Sequence, residues 1–189
     1  MKGKTPLAVL AMAIILLAAS SIPGCVQQSA VDPNAEVPPG DPAFPPQKEY
    51  GIHDPYHVLS SQTIDDANKI LERLSDQHIA QIAVLIQYDV HHPDDYATHY
   101  GRNIELGEID RDNGLVYLIR PDADPQEGRI TVSIGRGLPK FTAVDAHQIM
   151  KEASMDYINN GDYDQGVLNL IKNTDNRLRE IYGGAPNGE

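Results

Sequence analysis

Residues 80–88 (AQIAVLIQY) constrain the fold more than any other stretch of this 189-residue chain. The run is short, mostly apolar and rich in β-branched side chains, so it reads as a strand buried on both faces, the habit of parallel sheets covered by helices. Its neighbours supply those helices. Ile64, Ala67, Leu71 and Leu74 recur at helical spacing across 61–77, with Ser60 or Thr63 as N-cap. Residues 93–104 form a second expected helix, with Pro93 in its first turn and Tyr96, Ala97 and Tyr100 facing inward. Two further strands, 115–119 and 129–134, are joined by an Asp- and Pro-rich link ending at Gly128, which predicts a hairpin. Residues 144–157 and 163–182 are amphipathic helices parted by Asn159-Asn160-Gly161. The first strand-to-strand crossover through a helix is expected to be parallel and right-handed. The expected fold is therefore α/β, a three-layer α/β/α sandwich around a mixed, mainly parallel sheet of about four strands.

Upstream of this pattern the composition changes. Lys2 and Lys4 precede an apolar run over 7–19, and Ile22-Pro23-Gly24-Cys25 closes it. That order is the plan of a secretory signal, and the run is shorter than the ~20 apolar residues a membrane span needs. Cys25 resembles the acylated first mature residue of bacterial lipoproteins. We expect 1–24 to be the signal peptide, with lipid on Cys25 attaching the chain to a membrane on the extracytoplasmic side of the cell envelope. Val26, not Asp, follows the cysteine, which resembles an outer-membrane destination facing the periplasm in a double-membraned source. Residues 25–49 carry Pro33, Pro38, Pro39, Pro42, Pro45 and Pro46 and little apolar surface, so they read as a disordered or extended spacer reaching roughly 70 Å. The expected globular domain is 50–183, followed by a disordered tail at 184–189.

The net charge is −12, and removal of the leader, which holds two lysines and no acids, makes it −14. Such a chain repels phosphate backbones, which excludes nucleic acid as an expected partner. Cys25 is the only cysteine, so neither a disulfide nor a thiolate metal site is available once it is acylated. Any metal would be held by oxygens and imidazoles, which suits calcium or magnesium.

Acids and glycines gather in four places. Asp110-Arg111-Asp112-Asn113-Gly114 offers hard oxygen ligands, and equally the chemistry of a tight turn. It is not an EF-hand loop, because the glycine falls early and Pro121 stands at position twelve. Gly135-Arg136-Gly137-Leu138 reads either as a backbone nest for an anion, with Arg136 adding charge, or as a strand-ending turn. Asp162 in Gly161-Asp162-Tyr163 suits a helix N-cap. His91-His92-Pro93-Asp94-Asp95 has the composition of a metal cluster, but adjacent side chains diverge and a helix start favours Asp there. No serine nucleophile motif is present.

Taken in order, these pieces resemble the TPM domain. They are Ile52-His53-Asp54, then Leu59-Ser60 with a long helix; Ile82 to Ile86; Asp95-Tyr96-Ala97; Leu106-Gly107; Asp112-Asn113-Gly114; Gly135 to Leu138; Thr142 with Asp145-Ala146; and Gly161-Asp162-Tyr163-Asp164-Gln165-Gly166. The resemblance spans 50–182. It implies an α/β/α sandwich, attachment to the extracytoplasmic side of a membrane, and either divalent-cation binding, calcium above all, or acid phosphatase activity. It carries Asp54 and Asp112 forward as metal ligands, with Asn113 beside them and Asp145 as a third acid. Pro139, Arg136 and Glu105 stand where the family commonly has an acid and two aromatics. Two functions follow as expectations. One is a calcium-binding accessory or assembly module for a membrane-protein partner. The other is a metal-dependent phosphatase acting on phosphomonoesters, with a phosphate steadied by Arg136 or Arg111.

Overall fold

The computed structural model describes residues 35–46, 49–126 and 128–183. The leader, Cys25 and the tail at 184–189 lie outside the described residues. Four strands form one sheet in sequence order: β1 (Gly51–His53), β2 (Gln81–Ile86), β3 (Gly114–Ile119) and β4 (Ile130–Ile134). The first three are parallel and β4 returns antiparallel to β3. This is the mixed, mainly parallel sheet expected. The fourth strand is β1, only three residues long, and too short for hydrophobic periodicity to reveal.

β2 and β3 are buried along nearly their whole length, and each alternates between two cores. Ile82, Val84, Ile86, Leu115, Tyr117 and Ile119 face one layer of helices. That layer contains α1 (Ser61–Asp76), whose Leu71 and Leu74 are fully buried, and α5 (Tyr163–Tyr182) with Val167, Leu170, Ile171 and Leu178. Ala83, Leu85, Val116 and Leu118 face α2 (Pro93–Asn103), where Tyr96, Ala97 and Tyr100 meet them. Ser60 caps α1 by accepting from the Thr63 amide at 3.2 Å, and Asp162 caps α5 through Gln165 at 3.2 Å. Asn68 of α1 reaches the outer edge of β1, where its Oδ1 accepts from the Ile52 amide at 3.0 Å.

The helix expected over 144–157 is divided. It runs as α3 (Ala143–Ile149), a π-helical stretch (Met150–Ser154) and α4 (Met155–Asn159). The wider turn brings Ser154 inside, where its hydroxyl donates to the Gly166 carbonyl at 2.9 Å. Gly166 suits this crossing because a Cβ there would sit 2.7 Å from Ile158 Cδ1.

The spacer is corrected over its second half. Residues 35–46 are not a free tether but a strap across α2. Val37 and Phe44 pack against the α2 core, with Phe44 edge-on to Tyr96 and Tyr100 at centroid distances of 4.9 and 5.4 Å. Asn103 donates to the Ala35 carbonyl at 3.3 Å, and Asp41 accepts from the His91 amide at 2.7 Å and the His92 amide at 3.3 Å. Two apolar anchors among prolines whose backbone entropy is already low suffice to order the segment. Asp41 thus holds the backbone of His91 and His92 where the chain enters α2, and His92 makes no side-chain cap bond.

Four glycines bind the ends of β3 and β4 to the loop leaving α2. An added Cβ would lie 1.7 Å from the Arg111 carbonyl oxygen at Gly137, 2.3 Å from that of Asp112 at Gly135, 2.5 Å from that of Leu106 at Gly114, and 2.8 Å from the Gly114 nitrogen at Gly107. Gly137→Ala is expected to cost about 3 kcal/mol in urea unfolding, because backbone must move. Gly101→Ala, whose methyl meets only Val116 Cγ2 at 3.0 Å within a helix, should stay within about 1 kcal/mol of the parent. Phe44→Ala should cost about 2 kcal/mol if the strap is part of the folded domain.

Candidate functional site

Parallel register separates the expected ligands. Asp54 follows the C-terminal end of β1, where His53 pairs with Leu85. Asp112 precedes the N-terminal end of β3, where Gly114 pairs with Gln81. The two acids therefore sit at opposite edges of the sheet, roughly 20 Å apart at the rise of a strand. Asp112, Asn113, Asp145 and Arg136 belong to the N-terminal edge of the parallel strands, and Asp54 alone belongs to the C-terminal edge.

At the N-terminal edge these side chains are engaged in holding the backbone. Asn113 is buried; its Oδ1 accepts from the Glu108 amide at 2.9 Å and its Nδ2 donates to the Ile79 carbonyl at 3.4 Å. Asp112 takes φ +53°, a left-handed conformation that Asp tolerates better than most residues. Its Oδ2 accepts from Arg136 Nε at 3.0 Å. Arg136 is almost wholly in solvent, so this pair contributes a fraction of a kcal/mol. The Gly135 and Gly137 amides donate to the carbonyls of Gly114 and Asp112 at 2.8 and 2.9 Å. Those amides are thus not available to an anion, and the glycine pair acts as a strand-ending turn. Asp145 completes a capping box with Thr142 and meets Arg177 Nε at 2.9 Å. Its pKa is held low, first by the Thr142 hydroxyl and amide and then by Arg177.

The C-terminal edge has different chemistry. Asp54 is about nine-tenths buried. One oxygen, Oδ2, accepts from the Leu59 amide at 2.8 Å, while Oδ1 is buried without a hydrogen-bond partner among the described residues. A buried carboxylate oxygen left without a donor costs about 1–3 kcal/mol, which a cation would offset. Tyr56 lies edge-on to Tyr88 at 4.7 Å and accepts from the buried Gln87 amide at 2.8 Å. Burial raises the Tyr88 pKa, helped by the nearby Tyr163, Asp122 and Asp54. Asp122 accepts from the Asp89 amide at 2.8 Å. One strand further on, the Arg120 guanidinium is buried, its fork donating to the carbonyls of Val90 at 3.3 Å and Gly128 at 2.6 Å. Tyr56, Gln87, Tyr88 and Arg120 were not singled out from the sequence, since only β-sheet order brings the ends of β1, β2 and β3 side by side.

The four-ligand set does not fit one metal ion. Its members stand at two edges, and each already holds a protein partner, Asp54 through Oδ2 alone. Among the described residues, no group of three or more His, Cys, Asp or Glu side chains is poised to hold a metal. The Asp54 carboxylate by itself fits a cation, with any remaining ligands drawn from carbonyls, hydroxyls or water as calcium accepts.

An open, mixed four-stranded sheet with helices on both faces and glycine-packed strand ends defines a small α/β/α domain. The TPM domain family model matches residues 52–177, more than half the chain, and the chain belongs to that family. The fold is similar to the solution structure of the N-terminal domain of a protein from P. gingivalis, at 17% identity and TM-score 0.62, covering 73% of this chain and 87% of that one. It is also similar to the N-terminal domain of a Corynebacterium glutamicum protein, at 15% identity and TM-score 0.52, covering 77% and 90%. No curated protein matches the sequence.

Beside Asp54, the buried His53 accepts from the Tyr100 hydroxyl through Nδ1. Burial lowers its pKa to about 4, against a smaller opposing effect of the Glu49 carbonyl. The unfolded chain binds a proton near pH 6.5 and the folded one does not until about pH 4. Stability from this residue is therefore intact above pH 6.5 and falls by about 3 kcal/mol as pH drops to 4. His53→Asn keeps an acceptor for Tyr100 and should flatten the fall between those limits, measured by urea unfolding across pH.

Proposed function

We propose that this chain is a lipid-anchored, extracytoplasmic TPM-domain module that binds a divalent cation, calcium foremost, and serves as an accessory or assembly factor for a membrane-protein partner. The observation that carries the reading is the distribution of polar groups between the two edges. The motif residues Asp112, Asn113, Gly135, Gly137 and Asp145 hold the fold together. The buried Asp54 oxygen has no donor among the described residues, and it belongs to the C-terminal edge, where Asp54, Asp122 and Tyr56 all act on Tyr88. That edge is where ligands bind in open α/β sheets. A cation there would draw the 54–59 loop and the neighbouring strand ends into one fixed surface.

The lead sequence Lys2 to Cys25 supports the anchor. No described helix is long and apolar enough to cross a membrane. Because the Ala35 carbonyl is already held by Asn103, the ten residues from Cys25 to Ala35 limit the reach to at most about 35 Å, half that of the spacer expected from the sequence. A tether of that length keeps the domain beside the membrane, which suits work on a membrane-protein partner. The phosphatase reading finds less support. Arg136 is tied to Asp112 at the edge opposite Asp54, so the arginine meant to steady a phosphate and the acid with an available oxygen do not face a common space.

Calcium at a hundredfold excess over its dissociation constant is expected to stabilise the full chain by about 2.7 kcal/mol. Asp54→Asn should abolish that increment, whereas Asp112→Asn, which keeps the left-handed turn, should retain it. Thermal melts with and without calcium decide between these outcomes, and an increment lost in Asp112→Asn but kept in Asp54→Asn would overturn the assignment. For the anchor, Cys25→Ser should move the protein from the detergent phase to the aqueous phase after expression in a bacterial envelope.

A further inference from the structure

A cavity of about 920 Å³ opens at the N-terminal edge of the sheet, away from Asp54, between the C-terminal ends of α1 and α5 and the loop before β3. His78, Arg111 and Arg179 line it in a chain whose net charge is −12. Ile79 and Tyr182 supply apolar wall, and Gly137 and Gly183 leave backbone exposed to an occupant. Its volume falls in the range of small-molecule sites.

The arginines in this wall are donors, and the Gln77 amide oxygen beside them accepts from one. Arg179 gives Nε to Asp175 at 2.6 Å and Nη1 to the neutral Gln77 amide oxygen, while Nη2 is buried with no acceptor among the described residues. Arg111 pairs through Nε with Glu108 at 3.2 Å and through Nη1 with the His78 carbonyl at 3.1 Å. The Tyr182 oxygen accepts from the Lys140 and Phe141 amides at 2.8 and 3.1 Å. Both its lone pairs are occupied, so its proton is there to donate.

We propose that this cavity binds a small amphipathic organic acid, its carboxylate on the Arg179 guanidinium and its apolar body against Ile79 and the Tyr182 ring. A carboxylate matches the planar guanidinium fork and outcompetes the Gln77 amide as acceptor. Arg111 adds a second positive charge, and the Tyr182 hydroxyl a further donor. The site is built for one negative charge. Glu108 and Asp175 already balance part of the cationic charge, and the carbonyl ends of α1 and α5 oppose any anion there in proportion to its charge, so a phosphate dianion is disfavoured more than a carboxylate.

The test compares head groups on one apolar body, using the full chain and two-dimensional amide NMR. 4-Phenylbutyrate is expected to shift the amides of Ile79, Gly137 and Gly183, while 4-phenylbutanol and 4-phenylbutylamine leave them in place. 4-Phenylbutyl phosphate should bind more weakly than the carboxylate. Arg111→Gln, on an exposed loop, should weaken 4-phenylbutyrate binding about tenfold with the remaining amide spectrum unchanged. Equal shifts from all head groups, no shift at roughly 10 mM, tighter binding of the phosphate, or unaltered affinity in Arg111→Gln would each overturn the proposal. The head-group comparison needs no variant, and calcium plays no part in it.

Discussion

The close approach of Gly135 and Gly137 to the backbone of residues 111–114 is the contact on which the rest of this domain depends. It is a main-chain contact, with carbonyl oxygens of Asp112 and Arg111 occupying the space where side chains would begin. Hydrogen bonds from Gly135 and Gly137 to Gly114 and Asp112 extend the β3–β4 pairing beyond the strands themselves. Gly107 and Gly114 press the loop leaving α2 onto the same point. Asn113 locks the assembly from inside by bonding the Glu108 amide and the Ile79 carbonyl, so that the start of β2, the start of β3 and the exit of α2 share one junction. Side chains can adjust to a lost methylene, whereas a backbone held on several sides cannot.

That junction divides the molecule into two ends with different chemistry. At the N-terminal edge, motif acids and amides are engaged in capping, pairing and turn geometry, and Arg111 and Arg136 are exposed there beside Asp110 and Asp112. At the opposite edge the strands deliver a buried carboxylate, tyrosines and further acids to a surface. The proposed cation site and the proposed anion site are compatible in such a molecule because the length of the sheet would keep them apart. Screening at physiological salt, with a Debye length of about 8 Å, leaves each to respond mainly to its own surroundings.

The strap over α2 shows how little apolar material can order a polar segment. By composition residues 35–46 belong with the spacer, and most of their side chains are proline or polar. Phe44 between Tyr96 and Tyr100, and Asp41 at the amides of His91 and His92, each find partners more than forty residues away. Such partners leave no trace in local periodicity. The same holds for the π-helical stretch, where a helical pattern is continuous in sequence and the widened turn accompanies the bond from Ser154 to Gly166 on α5.

Local chemistry decided the elements of this protein. The run of β-branched residues in β2, the 3.6-residue spacing in α1 and α5, the caps at Ser60 and Asp162, and the order of strands and helices all follow from propensity and burial over a few residues. They were enough for the α/β class and, with the order of motifs, for the family. Tertiary structure decided the site. Asp54 and Asp112 look equivalent in a sequence, each an acid beside a strand, but one follows β1 and the other precedes β3. Because those strands run parallel, an acid after one and an acid before the other must lie at opposite edges, and no property of either residue alone records that.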